Sequence, residues 1–230
     1  MIWTSFFKPK RQDVPKRAVP KDDASPLIVH LLSSLMGKDK DRPMSAQHQL
    51  GVAYNLGIGV TQDYKEAVKR YRLAAEQGSA NAQLSLGLMY AHGQGVAQDY
   101  KEAVKWYRLA AEQGNQNAQL NVGWIYRNGH GVTQDYKEAV KWYRKAAEQG
   151  QAYAQSDLGA MYADGHGVTQ DYVRAYMWLN FAVASLIGED RKTATENRNR
   201  LAEKMTSAQI AQAQELARKC QQSNFRDCGW

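Results

Sequence analysis

Apolar and polar positions recur along this chain with a period of 36 residues. The copies align without a gap over residues 46–81, 82–117, 118–153 and 154–188. A unit of this length cannot bury its apolar face alone, so consecutive units are expected to stack on one another. The pattern contains helix-like stripes and no strand-like alternation. It predicts an all-α fold, a right-handed α-solenoid of helix-turn-helix repeats.

Each unit contains two apolar stripes, which the second unit shows most clearly. In its first stripe Ala82, Leu86 and Tyr90 are four residues apart and fall on one face of a helix. Its second stripe, over residues 103–111, places Ala, Trp and Tyr at offsets of three and four, while Lys and Arg residues occupy the opposite side. The spacing therefore predicts one amphipathic helix for each stripe.

The segment between the two stripes contains the signals that end one helix and begin the next. Gly93 and Gly95 lie in the sequence Gly-Gln-Gly-Val, which favours a helix stop followed by a sharp turn. Asp99 has Glu102 three residues later, an arrangement that resembles a capping box. The second helix is therefore expected to begin at Asp99.

The repeated residues form the pattern Ala-x-x-x-Leu-Gly-x-x-Tyr-x-x-Gly-x-Gly-Val-x-x-Asp-Tyr-x-x-Ala-x-x-Trp-Tyr-x-x-Ala-Ala-x-x-Gly. This pattern resembles the Sel-1-like repeat, a relative of the tetratricopeptide repeat, over residues 46 to about 183. The segment 197–218 is also similar to the ends of many bacterial family members. The resemblance implies a bacterial scaffold protein whose first helices line a concave wall.

The two flanks differ from the repeats in composition. Residues 1–43 are rich in Lys, Arg, Asp and Pro, which predicts a basic arm, with a helix over 26–38 that caps the stack. Residues 189–230 are expected to form two C-terminal capping helices, over 189–205 and 206–222. Thr206 and Gln209 have capping-box spacing at the start of the second of these.

The net charge of +7 is located outside the repeats. Residues 1–43 contain nine Lys and Arg against five acids, and residues 190–230 contain eight against five. Residues 44–189 balance thirteen against thirteen. A continuous basic groove for a phosphate backbone is therefore not expected, and we predict no nucleic-acid partner.

The sequence also bears on location. No window reaches the roughly 18 to 20 apolar residues that a membrane helix needs, so we predict no transmembrane segment. The first ten residues place apolar side chains before the charges, the reverse of a secretory signal. These features favour the cytoplasm, with the periplasm or cell envelope as the alternative.

Two cysteines, Cys220 and Cys228, lie eight residues apart near the C-terminal end. Two thiols without a nearby His do not supply the four ligands of a structural zinc site. The pair is either a disulfide, as in oxidised envelope proteins, or two free thiols in a reducing compartment. A disulfide over so short a loop would stabilise the end of the chain by about 2 to 3 kcal/mol.

Positions that vary between units while their neighbours do not are the candidates for binding. Positions 4, 7 and 11 of the first helix share one face by spacing. On the concave wall that the resemblance implies, they would form one surface for a protein or peptide partner. These residues are Gln49, Val52, Leu56, Ser85, Leu88, His92, Asn121, Trp124, Asn128, Asp157, Ala160 and Asp164. Trp124 is the expected anchor, because large rings are common binding hot spots.

No catalytic motif, cofactor motif or metal motif is recognised in the sequence. The Gly-x-Gly pairs lack the preceding strand and the third glycine of a nucleotide fingerprint. His130 and His166 occupy the same loop position in consecutive units, but no third ligand repeats with them, which favours ordinary loop histidines over a metal site.

The sequence therefore favours a monomeric, non-enzymatic scaffold or adaptor that binds a protein or peptide and needs no cofactor. The alternative is an envelope-associated binding protein or weak hydrolase that acts on penicillin-like or peptidoglycan-derived compounds. A cysteine-rich branch of the family is associated with such compounds, and this chain lacks the cysteine pair in each repeat that marks that branch.

Overall fold

The computed structural model describes residues 43–225 and Cys228. Over these residues it contains ten α-helices and no β-strand. The helices are α1 Met44–Leu56, α2 Tyr64–Glu76, α3 Ala80–His92, α4 Tyr100–Glu112, α5 Gln116–Asn128, α6 Tyr136–Glu148, α7 Ala152–Asp164, α8 Tyr172–Ser185, α9 Gly188–Ala202 and α10 Ser207–Gln222. The all-α class and the succession of helical repeats predicted from the period are confirmed.

An aspartate begins the second helix of every repeat. The Asp63 carboxylate accepts hydrogen bonds from the amides of Lys65 and Glu66, at 2.9 and 3.1 Å. Asp99 caps the next of these helices with the same two bonds, and Asp135 and Asp171 each accept one, from the amides of Glu138 and Arg174. First-turn amides have no partner inside their own helix, so each cap stabilises the helix by about 1 kcal/mol. The predicted start at Asp99 is confirmed.

The first helix of each repeat ends at a glycine in the left-handed conformation, with φ between 67° and 72° at positions 57, 93, 129 and 165. A glutamine in the following loop then ties the turn back to the helix. Gln98 donates a hydrogen bond from Nε2 to the carbonyl oxygen of Ala91, at 2.7 Å. The same bond is donated in the other three repeats by Gln62, Gln134 and Gln170, to the carbonyl oxygens of Asn55, Arg127 and Ala163. The loop is therefore a defined turn in all four repeats.

A glycine in the first helix allows the second helix of the same repeat to pack closely. A Cβ atom placed on Gly87 would lie 2.6 Å from the ring of Tyr107, inside the contact distance of real side chains. Gly51 and Gly123 face tyrosines in the same way, and Gly159 faces Leu179. These glycines therefore let the two helices of a repeat approach closely.

The described residues divide into two compact units, 43–118 and 119 onward, with the boundary inside α5. In the first unit, α1 to α4 enclose a core that includes Tyr71, Leu86 and Met89, all of them buried. The core surrounds the junction between the first two repeats. Its apolar side chains come from the positions at which the sequence repeats.

Polar contacts fix that junction as well. Gln83 is buried in α3 and donates from Nε2 to the carbonyl oxygen of Ala75 near the end of α2, at 3.1 Å. Arg72 donates from Nη2 to the hydroxyl of Tyr90, at 2.7 Å. The first bond satisfies a buried amide, which apolar contact alone would leave without a partner. The second lies at the surface and links the two repeats.

The second glycine of the Gly-x-Gly loop contacts the preceding repeat in the second and fourth repeats. A Cβ atom on Gly95 would lie 2.3 Å from the carbonyl oxygen of Tyr64, so no larger residue fits there without a backbone shift. In the second unit Gly167 has the same relation to Tyr136. This contact is made between backbones and is therefore insensitive to the variable side chains nearby.

The second unit is centred on Trp178 of α8, which is fully buried. Its ring lies 5.7 Å from Phe181 and 6.4 Å from Phe225, measured between ring centroids. Phe225 belongs to the loop that Cys220 and Cys228 close, since these two residues form a disulfide and are both buried. The structure thus supports the disulfide alternative for the cysteine pair.

Two C-terminal helices follow the repeats, as predicted over 189–205 and 206–222. They are α9 and α10, and a capping box between Thr206 and Gln209 begins the second of them. The predicted helix over 26–38 lies outside the described residues. Helices α3, α5 and α7 begin two residues before the period boundaries chosen at 82, 118 and 154. Among the described residues, no helix is long and apolar enough to span a membrane.

Candidate interaction surface

Repeated and variable positions of the first helices differ in exposure. The glutamine at position 2 and the glycine at position 6 are buried in all four repeats. Of the twelve variable residues, Gln49, Leu56, His92 and Asn128 are exposed, and Val52, Ser85, Leu88, Asn121, Trp124, Asp157 and Asp164 are half-buried. Ala160 is only 5% exposed and offers almost no surface, because its short side chain is packed within the core of the unit.

Six of these twelve residues belong to each compact unit. In the first unit, three of the six residues on α1 and α3 are apolar, and they include Leu56, which is 50% exposed, and Leu88. In the second unit, α5 and α7 present Asn121, Trp124, Asn128, Asp157, Ala160 and Asp164. We call this second set the α5–α7 surface.

Trp124 on α5 is held in place by its neighbours. Its ring stacks on the imidazole of His130, with the ring centroids 4.8 Å apart and the planes 26° from parallel. Asn128 donates from Nδ2 to the carbonyl oxygen of Trp124, at 2.7 Å. His130 was expected to be an ordinary loop histidine, and the structure shows it half-buried as the support of this indole.

An ion pair joins α5 to α7 across the same surface. Arg127 Nη1 lies 3.1 Å from the Asp157 carboxylate, and both side chains are largely shielded from water. The sequence analysis did not select Arg127. A signal for it was present, since the same position in the other three repeats holds Asn55, Ala91 and Ala163. The pair fixes the position of one carboxylate on the surface.

Asp164 is the second carboxylate of the α5–α7 surface, and its environment disfavours the negative charge. It is the last residue of α7, where the negative end of the helix dipole opposes an anion. Burial raises the pKa of its carboxyl above the ordinary 3.8, although His166, Arg127 and Lys204 act in the opposite direction. Folding therefore holds a charged group where protein stability alone would favour a neutral one.

His166 has an aromatic partner of its own. Its ring stacks on Tyr136, with the centroids 4.7 Å apart and the planes 9° from parallel. Within the described residues no group of three or more His, Cys, Asp or Glu side chains is arranged to hold a metal ion. Stacking on neighbouring aromatic rings thus accounts for both loop histidines.

This arrangement of stacked helix pairs defines a helical-repeat protein. The sequence model of the Sel1 repeat matches residues 45–79, 80–115, 116–151 and 152–184, so the chain belongs to the Sel1 repeat family. The recognition made from the repeated pattern is thereby confirmed. Proteins of this family are generally non-catalytic scaffolds for protein interaction.

Solved structures agree with this assignment. A Sel1 repeat protein from Oxalobacter formigenes is 33% identical, with a TM-score of 0.63, over 77% of this chain and 84% of that one. A protective antigen present in uropathogenic Escherichia coli strains, which displays the SLR fold, is 27% identical with a TM-score of 0.51. That match covers 89% of this chain and 58% of the antigen. The search of curated proteins gave no match.

Proposed function

We propose that this protein is a non-enzymatic adaptor whose α5–α7 surface binds a peptide segment of a partner protein, with Trp124 as the anchor. The observation that supports the proposal most directly is the difference in exposure between shared and variable positions of the first helices. In the first helices the glutamine and the glycine that all four repeats share are buried, whereas the twelve variable residues at positions 4, 7 and 11 are, with the exception of Ala160, exposed or half-buried. Accessible side chains that differ from copy to copy can encode recognition without disturbing the packing.

The chemistry of the α5–α7 surface suits a peptide. The indole of Trp124 is rigid because it is stacked on His130, so little side-chain entropy is lost on binding. The Asn121 amide can both donate and accept hydrogen bonds, as an extended peptide backbone requires. The Asp157 and Asp164 carboxylates disfavour a nucleic-acid phosphate at this place.

The experiment compares two tryptophan variants of the full-length protein as baits in cells that naturally make it. Trp124→Ala removes the proposed anchor. Trp106→Ala is the matched control, because Trp106 is also half-buried but lies on α4, packed against the core of the first unit. Proteins captured by each bait are quantified by mass spectrometry, and the leading candidate is retested in purified form by calorimetry.

We expect Trp124→Ala to weaken binding of the purified partner by about ten-fold or more, as for an interface hot spot. Trp106→Ala should leave that affinity unchanged, whatever its effect on the melting temperature. Equal losses in the two variants, or a folded Trp124→Ala protein with full affinity, would contradict the proposal. Circular dichroism verifies that both variants are folded.

A further inference from the structure

The first helices of the first compact unit, α1 and α3, contain no Asp, Glu, Lys or Arg. The first helices of the later repeats differ, since α5 contains Arg127 and α7 contains Asp157 and Asp164. A ligand that contacts α1 and α3 therefore meets two helices without a carboxylate, an ammonium or a guanidinium group.

A buried tyrosine joins α1 and α3 below their accessible side. Tyr71 of α2 is only 2% exposed, and its hydroxyl forms hydrogen bonds with the side chains of Asn55 on α1 and Ser85 on α3. Burial raises the pKa of Tyr71 to about 12, although both hydrogen bonds act in the opposite direction. The ring of His48 lies 5.7 Å from that of Tyr71, and burial lowers the pKa of this imidazole below 6.5. Both rings are therefore neutral at pH 7.

Four half-buried residues surround this junction, and we call them the α1–α3 surface: Val52, Asn55, Ser85 and Leu88. Two periods later the same four positions hold Trp124, Arg127, Asp157 and Ala160. There Arg127 and Asp157 form the ion pair described above, next to the hydroxyl of Tyr143. One unit thus presents aliphatic groups around an amide and a hydroxyl, and the other presents an indole next to an ion pair.

We propose that the α1–α3 surface is a second docking site, which selects an uncharged peptide segment with aliphatic side chains. It rests on the proposed function only in that its ligand is a peptide. The Asn55 amide and the Ser85 hydroxyl can each donate and accept hydrogen bonds, as the backbone of such a segment requires. Val52 and Leu88 lie one helical turn from these polar groups and contact the aliphatic side chains of the ligand.

The selection comes from the absence of counter-ions. A carboxylate or ammonium group of a ligand would lose water on contact with Val52 and Leu88, and neither α1 nor α3 supplies an opposite charge in return. An uncharged segment avoids this penalty. Its binding should also change little with ionic strength, because salt screens interactions between charges.

The probe is an array of short immobilised peptides with acetylated ends, screened with the full-length protein. One half of the array consists of uncharged sequences of Leu, Val, Asn and Ser, and in the other half one Leu of each sequence is replaced by Glu or Lys. We expect uncharged peptides to bind about ten-fold more tightly than their charged counterparts. The tightest binder is then measured by calorimetry at low and high salt, with equal affinities expected.

Two substitutions of nearly equal shape at one position isolate the effect of charge. Ser85→Asp should weaken binding of the uncharged peptide by about ten-fold, whereas Ser85→Asn should leave it unchanged. Both side chains already occur at this position of the repeat, as Asn121 and Asp157. Asn55→Arg with Ser85→Asp should also weaken binding, and it supplies a counter-ion for the new carboxylate, so that the loss can be measured even where Ser85→Asp alone does not fold.

Several outcomes would overturn the proposal: no binding of any uncharged peptide, equal binding of charged and uncharged peptides, a fall in affinity with salt, or equal affinities of the folded Asp and Asn variants. Circular dichroism verifies that the variants are folded. Trp124→Ala should bind the uncharged peptide normally, and an equal loss there would assign this peptide to the α5–α7 surface instead. The two docking proposals can therefore fail separately.

Discussion

At the scale of single residues, Asp164 is the clearest case in which recognition and stability have different requirements. Its carboxylate is half-buried at the end of α7. Arg127 is already 3.1 Å from Asp157 and is therefore shared between two acids. A residue that lowers stability at an accessible position is a common property of binding sites.

Asp164→Asn should increase stability at neutral pH. Burial raises the folded-state pKa of Asp164 above its ordinary 3.8, so the folded state holds its proton more tightly than the unfolded state does. This group therefore lowers the free energy of unfolding as pH rises through the folded-state pKa. The gain from Asn should be complete at pH 7 and absent below pH 3.8, which urea denaturation at both pH values can measure.

The control for this prediction is Asp157→Asn. It removes the carboxylate that pairs with Arg127 and should lower stability at neutral pH, because it leaves a largely shielded guanidinium without its nearest anion. A stabilisation by Asp164→Asn that persists unchanged at pH 3 would show that the effect does not come from the charge of Asp164.

At the scale of helices, buried glutamines join the two helices of a repeat. Gln83 and Gln119 each accept a hydrogen bond at Oε1 from the glutamine 30 residues later, Gln113 and Gln149, at 2.7 Å. In the fourth repeat the corresponding donor position is Ser185. The Oε1 atom of Gln155 is accordingly buried without a hydrogen-bond partner among the described residues.

Ser185→Gln should therefore stabilise the end of the repeat array. The new amide can donate to Gln155 Oε1, and the gain from satisfying a buried acceptor is on the order of 1 kcal/mol. Ser185→Ala is the control, since it changes the same position without supplying a donor. Chemical denaturation would contradict this account if the two variants were equally stable.

Local signals in the sequence were sufficient to predict where most helices begin and end. Asp99, Gly93 and the Thr206–Gln209 pair contact groups within one or two helical turns. Their spacing in the sequence is therefore enough to predict these helix ends. The bond from Arg72 to Tyr90 was not predicted, because it joins residues 18 apart and depends on which helix faces meet. The buried glutamines had a signal that was overlooked, a polar residue repeated at one position of all four units.

The same distinction applies to the candidate surface. Helical spacing correctly identified an accessible side for Trp124 and Asp157, but it could not show that Ala160 is buried or that His130 supports the indole. Those facts depend on neighbouring helices and on the path of the loop. Partner binding by these residues, the monomeric state and the cellular location stay predictions.

At the scale of the whole molecule, the disulfide secures the end of the described chain. Its two cysteines are eight residues apart in the sequence. Phe225, which lies between them, packs against Trp178 and Phe181 of α8. Phe225 and Asn224 have positive φ values of 62° and 52°, a conformation that non-glycine residues rarely adopt. The covalent link thus keeps an unusual loop against the last repeat.

Replacing both Cys220 and Cys228 by Ala should lower the free energy of unfolding by about 2 to 3 kcal/mol, from the entropy of the released loop. A reducing agent should lower the melting temperature of the natural protein and have no further effect on the double variant.

Alkylation and mass spectrometry of protein from its own cells then test the location. A quantitative disulfide indicates an oxidising compartment, whereas two alkylated thiols indicate the cytoplasm.

Apart from the Arg127–Asp157 ion pair, the contacts described between neighbouring repeats use positions that the copies have in common. The buried bond from Gln83 to Ala75 recurs from Gln155 to Ala147, with donor and acceptor each shifted by two periods. A duplicated 36-residue segment would consequently bring its own complete junction with it. Evolution can lengthen such a gene, or exchange the variable side chains of one copy, without inventing a new interface each time.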